Sequence, residues 1–354
     1  MKKTKIGKIP SIFKNVDLLQ EVFVTDKIKA EEGAFVVVEA LEDIDKKNGV
    51  EFKDGRLGKV RKGDVFPGVL GYRKAPVEFA GFVPPKVYVG QELYLLCESG
   101  LIGDLSGIYN SWGNPMSVRV LGGIVDKKGK SLNLKDFAFS KIKQTKKKIP
   151  LVAFIATRMD SGKTITACKV VSAFSQLGKK VAAVKMTGVA YNQDLYKLQD
   201  SGASAVYDFV DMGLPSTCNS NTQAVISAAK QLISYAKRDN PDMIVAEFGE
   251  GIIGDYHNLD VLSDPFIKSQ VSFLVLAAID LAGVYGSTQI LKKECGLIID
   301  LVTGPAVNSQ VGVEAVKKYF NLESESNLSQ IPRTVSAIHK KVFEKNNESN
   351  KTLL

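Results

Sequence analysis

At 354 residues and 45% hydrophobic composition, the chain is long enough to bury two separate cores. Its four cysteines, Cys97, Cys168, Cys218 and Cys295, stand far apart without CxxC spacing, which argues against a disulfide framework or a thiolate zinc site and fits a reducing cytoplasm. A net charge of +9 raises nucleic acid as a partner, but the lysines are dispersed apart from clusters at the N-terminus and at residues 141–148, and no aromatic-interleaved basic motif accompanies them, so nucleic acid is not expected.

The N-terminal stretch MKKTKIGKIPSIFKN is basic but leads into no apolar segment, and the most apolar run, VSFLVLAAIDLAGVYG, is short and broken by Asp280. Neither export nor a membrane span is expected, and the reading is of a cytoplasmic protein. Residues 1–147 carry closely spaced turn punctuation, as in KKNGVEFKDGRLGKVRKGDVFPGVLGY, between short runs of Val, Leu, Phe and Tyr. That pattern predicts a small all-β domain, a barrel or a sandwich. KIKQTKKKIP, with five lysines in ten residues, marks a linker and places the boundary near residue 148.

From there the chain alternates buried strands (PLVAFIAT, KKVAAVKM, DMIVAEFG, VSFLVLAA, GLIIDLVTG) with helical segments (TITACKVVSAFSQLG, TQAVISAAKQLISYAKRD). Continuous apolar strands joined by helical crossovers predict a doubly wound, mostly parallel α/β sheet over residues 148–322. Residues 323–354 read as a polar tail in which IPRTVSAIHKKVFEK forms one helix.

The stretch FIATRMDSGKTITA holds the strongest chemical signal. An apolar strand enters a short loop ending Ser161-Gly162-Lys163-Thr164, and a helix follows at once, expected to begin at Thr164. A phosphate-binding loop needs inward backbone N–H groups, a helix N-terminus, a lysine for the outer phosphates and a hydroxyl for Mg²⁺. Thr157, Asp160, Ser161, Gly162, Lys163, Thr164 and Ile165 are therefore the expected nucleotide contacts, although Thr157 stands where a standard G-x-x-x-x-G-K-[ST] loop has glycine.

Read as ATRMDSGKT, the loop resembles that of the dethiobiotin synthetases, G-T-x-T-x-V-G-K-T. VAAVKMTG resembles that family's second strand, QDLYKLQDSGA its S-D-A-L-A-L-Q segment, DMIVAEFGEG its V-E-G-A-G-G segment, and residues 273–304 its late strand-helix-strand unit. The resemblance implies a P-loop NTPase domain that uses ATP and Mg²⁺, with Lys163 and Lys185 catalytic, and Thr164, Asp194 and Glu247 around the metal. It further implies transfer of the γ-phosphoryl to a carboxylate or carbamate oxygen of a small molecule, as a ligase or kinase, in a homodimer. A nucleotide-dependent switch or cofactor-maturation NTPase is the alternative. Independently of the resemblance, a hydroxyl with one or two carboxylates suits Mg²⁺, and Lys185 at the end of a buried strand is costly unpaired, which a role on phosphate oxygens explains, a salt bridge to Asp160 or Glu247 being the alternative.

The family pattern also fails in places. Val189 replaces a substrate-contacting serine, Phe248 and Glu250 replace glycines, and Gly304 replaces the base-reading asparagine, with Asn308 nearby. The first 140 residues or so have no counterpart, so biotin synthesis itself is not expected. With His257 and His339 the sole histidines, histidine-based catalysis has little material, and His257 reads as an exposed loop residue. Trp112, Tyr72 and Arg73 read as core or turn positions.

Overall fold

Short strands with glycine at their ends cannot bury an apolar face alone, and the first part of the chain solves this by curling a sheet onto itself. The computed structural model describes residues 1–43, 49–109, 113–145, 147–218 and 220–344, so Trp112 lies outside the described residues. The chain divides into two units. One comprises Met1–Ser140 with Val189–Gln193 and Phe209–Ser220, and the other Lys141–Gly188 with Asp194–Asp208 and Asn221–Leu354.

The first unit is built on β1 (Lys2–Lys5), β2 (Glu21–Thr25), β3 (Phe35–Ala40), β4 (Val50–Glu51), β5 (Leu57–Gly58) and β6 (Val65–Leu70). It continues through β7 (Arg73–Lys74), β8 (Phe79–Phe82), β9 (Glu92–Cys97), β10 (Leu101–Ile108) and β11 (Ser117–Val125). The nine-stranded sheet runs β1-β2-β11-β3-β6-β10-β8-β7, and because β9 pairs with both β10 and β11, the strands β11, β3, β6, β10 and β9 close a ring. Closure removes exposed strand edges, and irregularities between Val120 and Gly122 and between Leu101 and Ile102 supply the bends it needs.

Side-chain alternation then divides the strands between two cores. Val36 and Val38 join Phe66, Leu93, Ile102 and Val118 in one, while Phe35 and Val37 join Phe13, Val24, Phe209 and Val210 in the other. The small all-β unit, expected as a barrel or a sandwich, is thus a closed ring of strands, and later chain segments join the core that includes Phe35 and Val37. Buried Glu51 accepts hydrogen bonds from the Asn192 N–H (2.9 Å), the Gln193 N–H (2.7 Å) and the Ser11 hydroxyl. Arg73 is buried and donates to the Leu96 carbonyl and to Glu78.

The second unit holds β12 (Leu151–Ala156), β13 (Val181–Lys185), β14 (Ala205–Asp208), β15 (Met243–Glu247), β16 (Val271–Ala277), β17 (Leu301–Thr303) and β18 (Glu323–Ser324). They form a sheet in the order β14-β13-β15-β12-β16-β17-β18 in which every pairing is parallel. Its helices include α1 (Lys163–Gln176), α2 (Asn192–Asp200), α3 (Thr222–Ala236), α4 (Asn258–Ser263), α5 (Pro265–Gln270), α6 (Leu281–Ile290), α7 (Gln310–Phe320) and α8 (Pro332–His339). All residues of β12, β13 and β15 are buried, as a sheet covered on both faces requires. Val152, Phe154, Ala183 and Val245 pack on one face with Val170, Val171 and Phe174 of α1 and Ile338 of α8.

Asp280, which interrupts the most apolar run, accepts the Gly283 N–H and so caps α6 where β16 gives way to helix. Residues 323–339, read as polar tail, contribute an edge strand and a helix that packs on α1. The lysine-rich segment is tied at Ile142, whose N–H and carbonyl both bond the Gln231 amide (2.9 and 3.2 Å). Among the described residues, no helix is long and apolar enough to cross a membrane.

Because Val189, Ala190, Phe209 and Val210 belong to the first unit's core, a fragment beginning at Lys147 exposes four apolar side chains that the whole chain buries. Such a fragment is expected to lose solubility and to bind more of a hydrophobic dye than the full chain. Equal dye binding by both would show that these segments repack on their own.

Candidate functional site

The turn after β12 is shaped by two residues in the left-handed backbone region, Asp160 (φ 59°) and Gly162 (φ 91°). A right-handed residue followed by a left-handed one can turn successive backbone N–H groups toward a common centre, the arrangement of an anion-binding concavity. Helix α1 begins at Lys163, one residue earlier than expected, and its N-cap residue, Gly162, has no side chain with which to cap it. The positive end of a 14-residue helix is therefore directed at the turn. Thr157, which replaces a standard glycine, donates its N–H to the Ala277 carbonyl (3.0 Å) and accepts the Ile279 N–H on its hydroxyl (3.2 Å). Its side chain thus ties the loop to the end of β16, a task glycine could not perform. Gly304 (φ 88°) presses against the loop, since a Cβ there would lie 2.5 Å from the Ser161 carbonyl oxygen.

Register places the charged residues together. Lys185 at the end of β13 is paired with Glu247 at the end of β15, and Phe154 of β12 flanks Glu247 on the other side. The Thr164 hydroxyl donates to Glu247 Oε1 (2.6 Å), and Lys185 Nζ lies 2.5 Å from Asp194 Oδ2. Lys163 Nζ donates to the carbonyl of Glu250 (2.9 Å) and toward that of Arg158 (3.4 Å). The expected residues Thr164, Asp194, Glu247, Lys163 and Lys185 therefore share one region. Ser161 is buried and donates to the Arg158 carbonyl (2.8 Å), whereas Asp160 and Ile165 are exposed. The counter-charge on Lys185 is Asp194, in place of the Asp160 or Glu247 considered from sequence.

The electrostatics follow from burial. Burial, and after it the neighbouring Asp194 charge, pushes the Glu247 carboxyl above its ordinary value, against the pull of Lys185 and Lys163. Burial also acts to raise Asp194, but the Lys185 ammonium outweighs it and holds that carboxyl below the usual range. Lys185 is disfavoured by burial yet held above the ordinary lysine value by Asp194 and Glu247, whereas burial wins at Lys163 and lowers it. Glu247 Oε2 is buried and has no hydrogen-bond partner among the described residues. A buried carboxylate oxygen without a donor is costly, and together with the adjacent Thr164 hydroxyl it fits a divalent cation that also takes phosphate and water oxygens. Both Asp194 oxygens face ammonium groups, Lys185 and, at 3.9 Å, Lys197. Among the described residues no three His, Cys, Asp or Glu side chains gather into a metal site of their own.

Thr187 and Asn258 were not singled out from sequence, because a buried asparagine in a polar loop leaves no periodic signal. Asn258 donates to the carbonyls of Gly249 and Gly251 (both 2.7 Å), and Thr187 Oγ1 accepts the Gly249 N–H (3.0 Å). They fix the loop after β15, in which Glu250 adopts the left-handed region (φ 56°). His257 is half-buried, with Nδ1 2.8 Å from Asp260 Oδ2. Val189 is a member of the first unit's core.

No known protein family matches the chain, and no curated protein matches it. Among solved structures, the signal recognition particle receptor FtsY from Elizabethkingia anophelis is similar at 15% identity and a TM-score of 0.37, over 55% of this chain and 65% of that one. The signal recognition particle 54 kDa protein from Aeropyrum pernix, in complex with GDP, gives 15% identity and a TM-score of 0.38, over 58% of this chain and 49% of that one. Chloroplast FtsY from Physcomitrella patens gives 12% and 0.39, over 59% and 70%. The match thus spans less than two thirds of the first two. Likenesses this slight carry no weight for function, and the dethiobiotin synthetase resemblance of the motifs gains no support from them.

Substituting Lys185→Met should destabilise the chain by about 3–5 kcal/mol, because it leaves Asp194 and Glu247 buried without their cation. With the cation gone both carboxyls bind protons more tightly folded than unfolded. The variant is therefore least penalised below the unfolded carboxylate pKa of about 4 and most penalised at neutral pH. Urea unfolding of wild type and variant across that range would show the deficit widening as pH rises, and a pH-independent deficit would contradict the arrangement.

Proposed function

We propose that this chain is a magnesium-dependent P-loop nucleoside triphosphatase that binds its nucleotide at residues 157–164 and cleaves the terminal phosphoryl group. The observation that carries the proposal is the Thr164–Glu247 hydrogen bond with a buried Glu247 oxygen beside it that has no hydrogen-bond partner among the described residues, at the N-terminus of α1. The bound cation would neutralise phosphate charge, held by Thr164 and Glu247, with Asp194 reaching it through water. Lys163 would lie against the outer phosphates, and its depressed pKa reflects a water-poor site in which a phosphate would restore the favoured charged state. Loop N–H groups would orient the polyphosphate, and Lys185 would stabilise charge on the transferred group, once its hold on Asp194 is shared with substrate.

In the reading we favour, the nucleotide is ATP and the acceptor is a carboxylate or carbamate oxygen of a small metabolite, as in a ligase or kinase. A second cation at the strand ends, Lys185, whose charge like that of Lys163 acts on Glu247, supports that reading, because a plain binding site needs no such pair. One observation favours a nucleotide-dependent switch instead. The Lys163 ammonium is held by the carbonyl of Glu250, a non-glycine residue in a left-handed conformation, so a phosphate that draws Lys163 away would release strain in that loop.

Purified protein incubated with Mg-ATP and with Mg-GTP, alone and with pooled small metabolites, separates the readings. Metabolite-stimulated ATP turnover is expected, whereas slow GTP hydrolysis indifferent to metabolites would favour the switch. Lys163→Ala should lower turnover by at least about 100-fold. Thr164→Ala should raise the magnesium concentration needed for half-maximal turnover more than it weakens nucleotide binding in titrations. Folded variants that behave like wild type in both measurements would remove the loop from any catalytic role.

A further inference from the structure

The residue that shuts the phosphate loop from behind lies far along the chain, between β18 and α8. Asn327 is 5% exposed, and its Nδ2 donates to the Gly162 carbonyl (3.2 Å) and to Thr166 Oγ1 (3.3 Å). The same Gly162 carbonyl accepts the Thr166 hydroxyl (2.9 Å) and, as the first helical bond of α1, the Thr166 N–H (3.1 Å), so Asn327 adds its hold to one the helix already begins. A carbonyl can only accept, so this triangle requires the amide nitrogen, and not the amide oxygen, to face Gly162. The contact is close enough that a Cβ on Gly162 would sit 2.1 Å from Asn327 Nδ2.

Asn327 is itself held firmly. Lys169 of α1 donates to the carbonyls of Asn327 (2.7 Å) and Ser329 (2.6 Å). At one end of the segment the Glu325 N–H bonds Val302, and the Glu325 carbonyl accepts the Thr303 hydroxyl (2.9 Å). The Glu325 carboxylate accepts the Thr334 N–H (2.7 Å) and hydroxyl (2.8 Å) as well as the Arg333 N–H (3.1 Å), which caps α8. At the other end Ile331 is buried with the α1 core.

A trans peptide is planar, with its C=O and the following N–H pointing in opposite directions. Fixing the Gly162 carbonyl outward therefore fixes the Lys163 N–H inward, toward the concavity. We propose that Asn327 is a positioning residue for the phosphate loop, setting its grip on polyphosphate by locking the Gly162–Lys163 peptide. The proposal rests on the nucleotide reading above for its ligand.

Asn327→Asp keeps the shape but replaces the donor with an acceptor facing a carbonyl. Hydrogen exchange of the loop peptide covering residues 157–166 should quicken by about tenfold or more, while peptides from β13 and β15 keep wild-type exchange. Affinities for Mg-ATP and for magnesium tripolyphosphate, which has no base, should fall by a similar factor of about ten, since the defect lies at the phosphates. If exchange rises throughout the chain, Thr166→Val, which loosens the same triangle from α1, is read in its place. Unchanged loop exchange overturns the proposal, as does faster exchange with undiminished affinity for both probes. A wild-type chain that binds neither probe defeats the nucleotide reading and with it the affinity claim, while exchange still decides whether Asn327 locks the peptide.

Discussion

Lys185 and Glu247 at the C-terminal ends of β13 and β15 and Lys163 at the head of α1 are buried charges, with the half-buried Asp194 of α2 beside them, and each is tolerable only because the others are there. Lys185 and Asp194 satisfy each other. Lys163 has carbonyls and the distant pull of carboxylates, and Glu247 is left with one oxygen unanswered. Such a cluster is poorly suited to holding a fold together, since apolar residues of the same volume would do so at less cost. It is well suited to receiving a ligand that brings both signs of charge, a polyanion with its cation.

The sheet makes this concentration of charge mechanically possible. Parallel strands of continuous apolar sequence end at one level, so whatever follows the last apolar residue of each strand emerges beside its neighbours. Lys185 and Glu247 are the final residues of their strands, and the loop carrying Lys163 leaves the strand adjoining Glu247. The loop itself is fixed on several sides, by Thr157 bonding the end of β16, by the approach of Gly304, and by Asn327 behind Gly162.

Much of this organisation can be read from local pattern. Strands β12, β13, β15 and β16 stand out as apolar runs, and Gly-Lys-Thr between such a strand and a helix points to the loop before any coordinate is known. The edge strands β14 and β18 do not stand out, because at four and two residues they are too short and too polar for periodicity to register. The partner of Lys185 was equally hidden. Residue spacing gives the end of a strand but not the direction in which a side chain turns once it leaves, so Asp160 and Glu247 were the expected partners and Asp194 was not among them. Asn327 and Asn258 lie beyond reach of local pattern for a different reason: their partners are main-chain carbonyls, which every residue possesses.

The first unit takes in Val189–Gln193 and Phe209–Ser220, and this has a consequence for the order in which the chain is made. A ribosome that has finished Ser140 must add another 80 residues, Lys141 to Ser220, before the last piece of that core exists. At about 5–20 residues per second the delay is roughly 4–16 s, long compared with the folding of most small domains. Through that interval the apolar surface around Phe13 and Phe35 waits for Phe209 and Val210. Strands β12 and β13 are synthesised meanwhile, so the ring of strands can close while the core that includes Phe35 and Val37 stays incomplete.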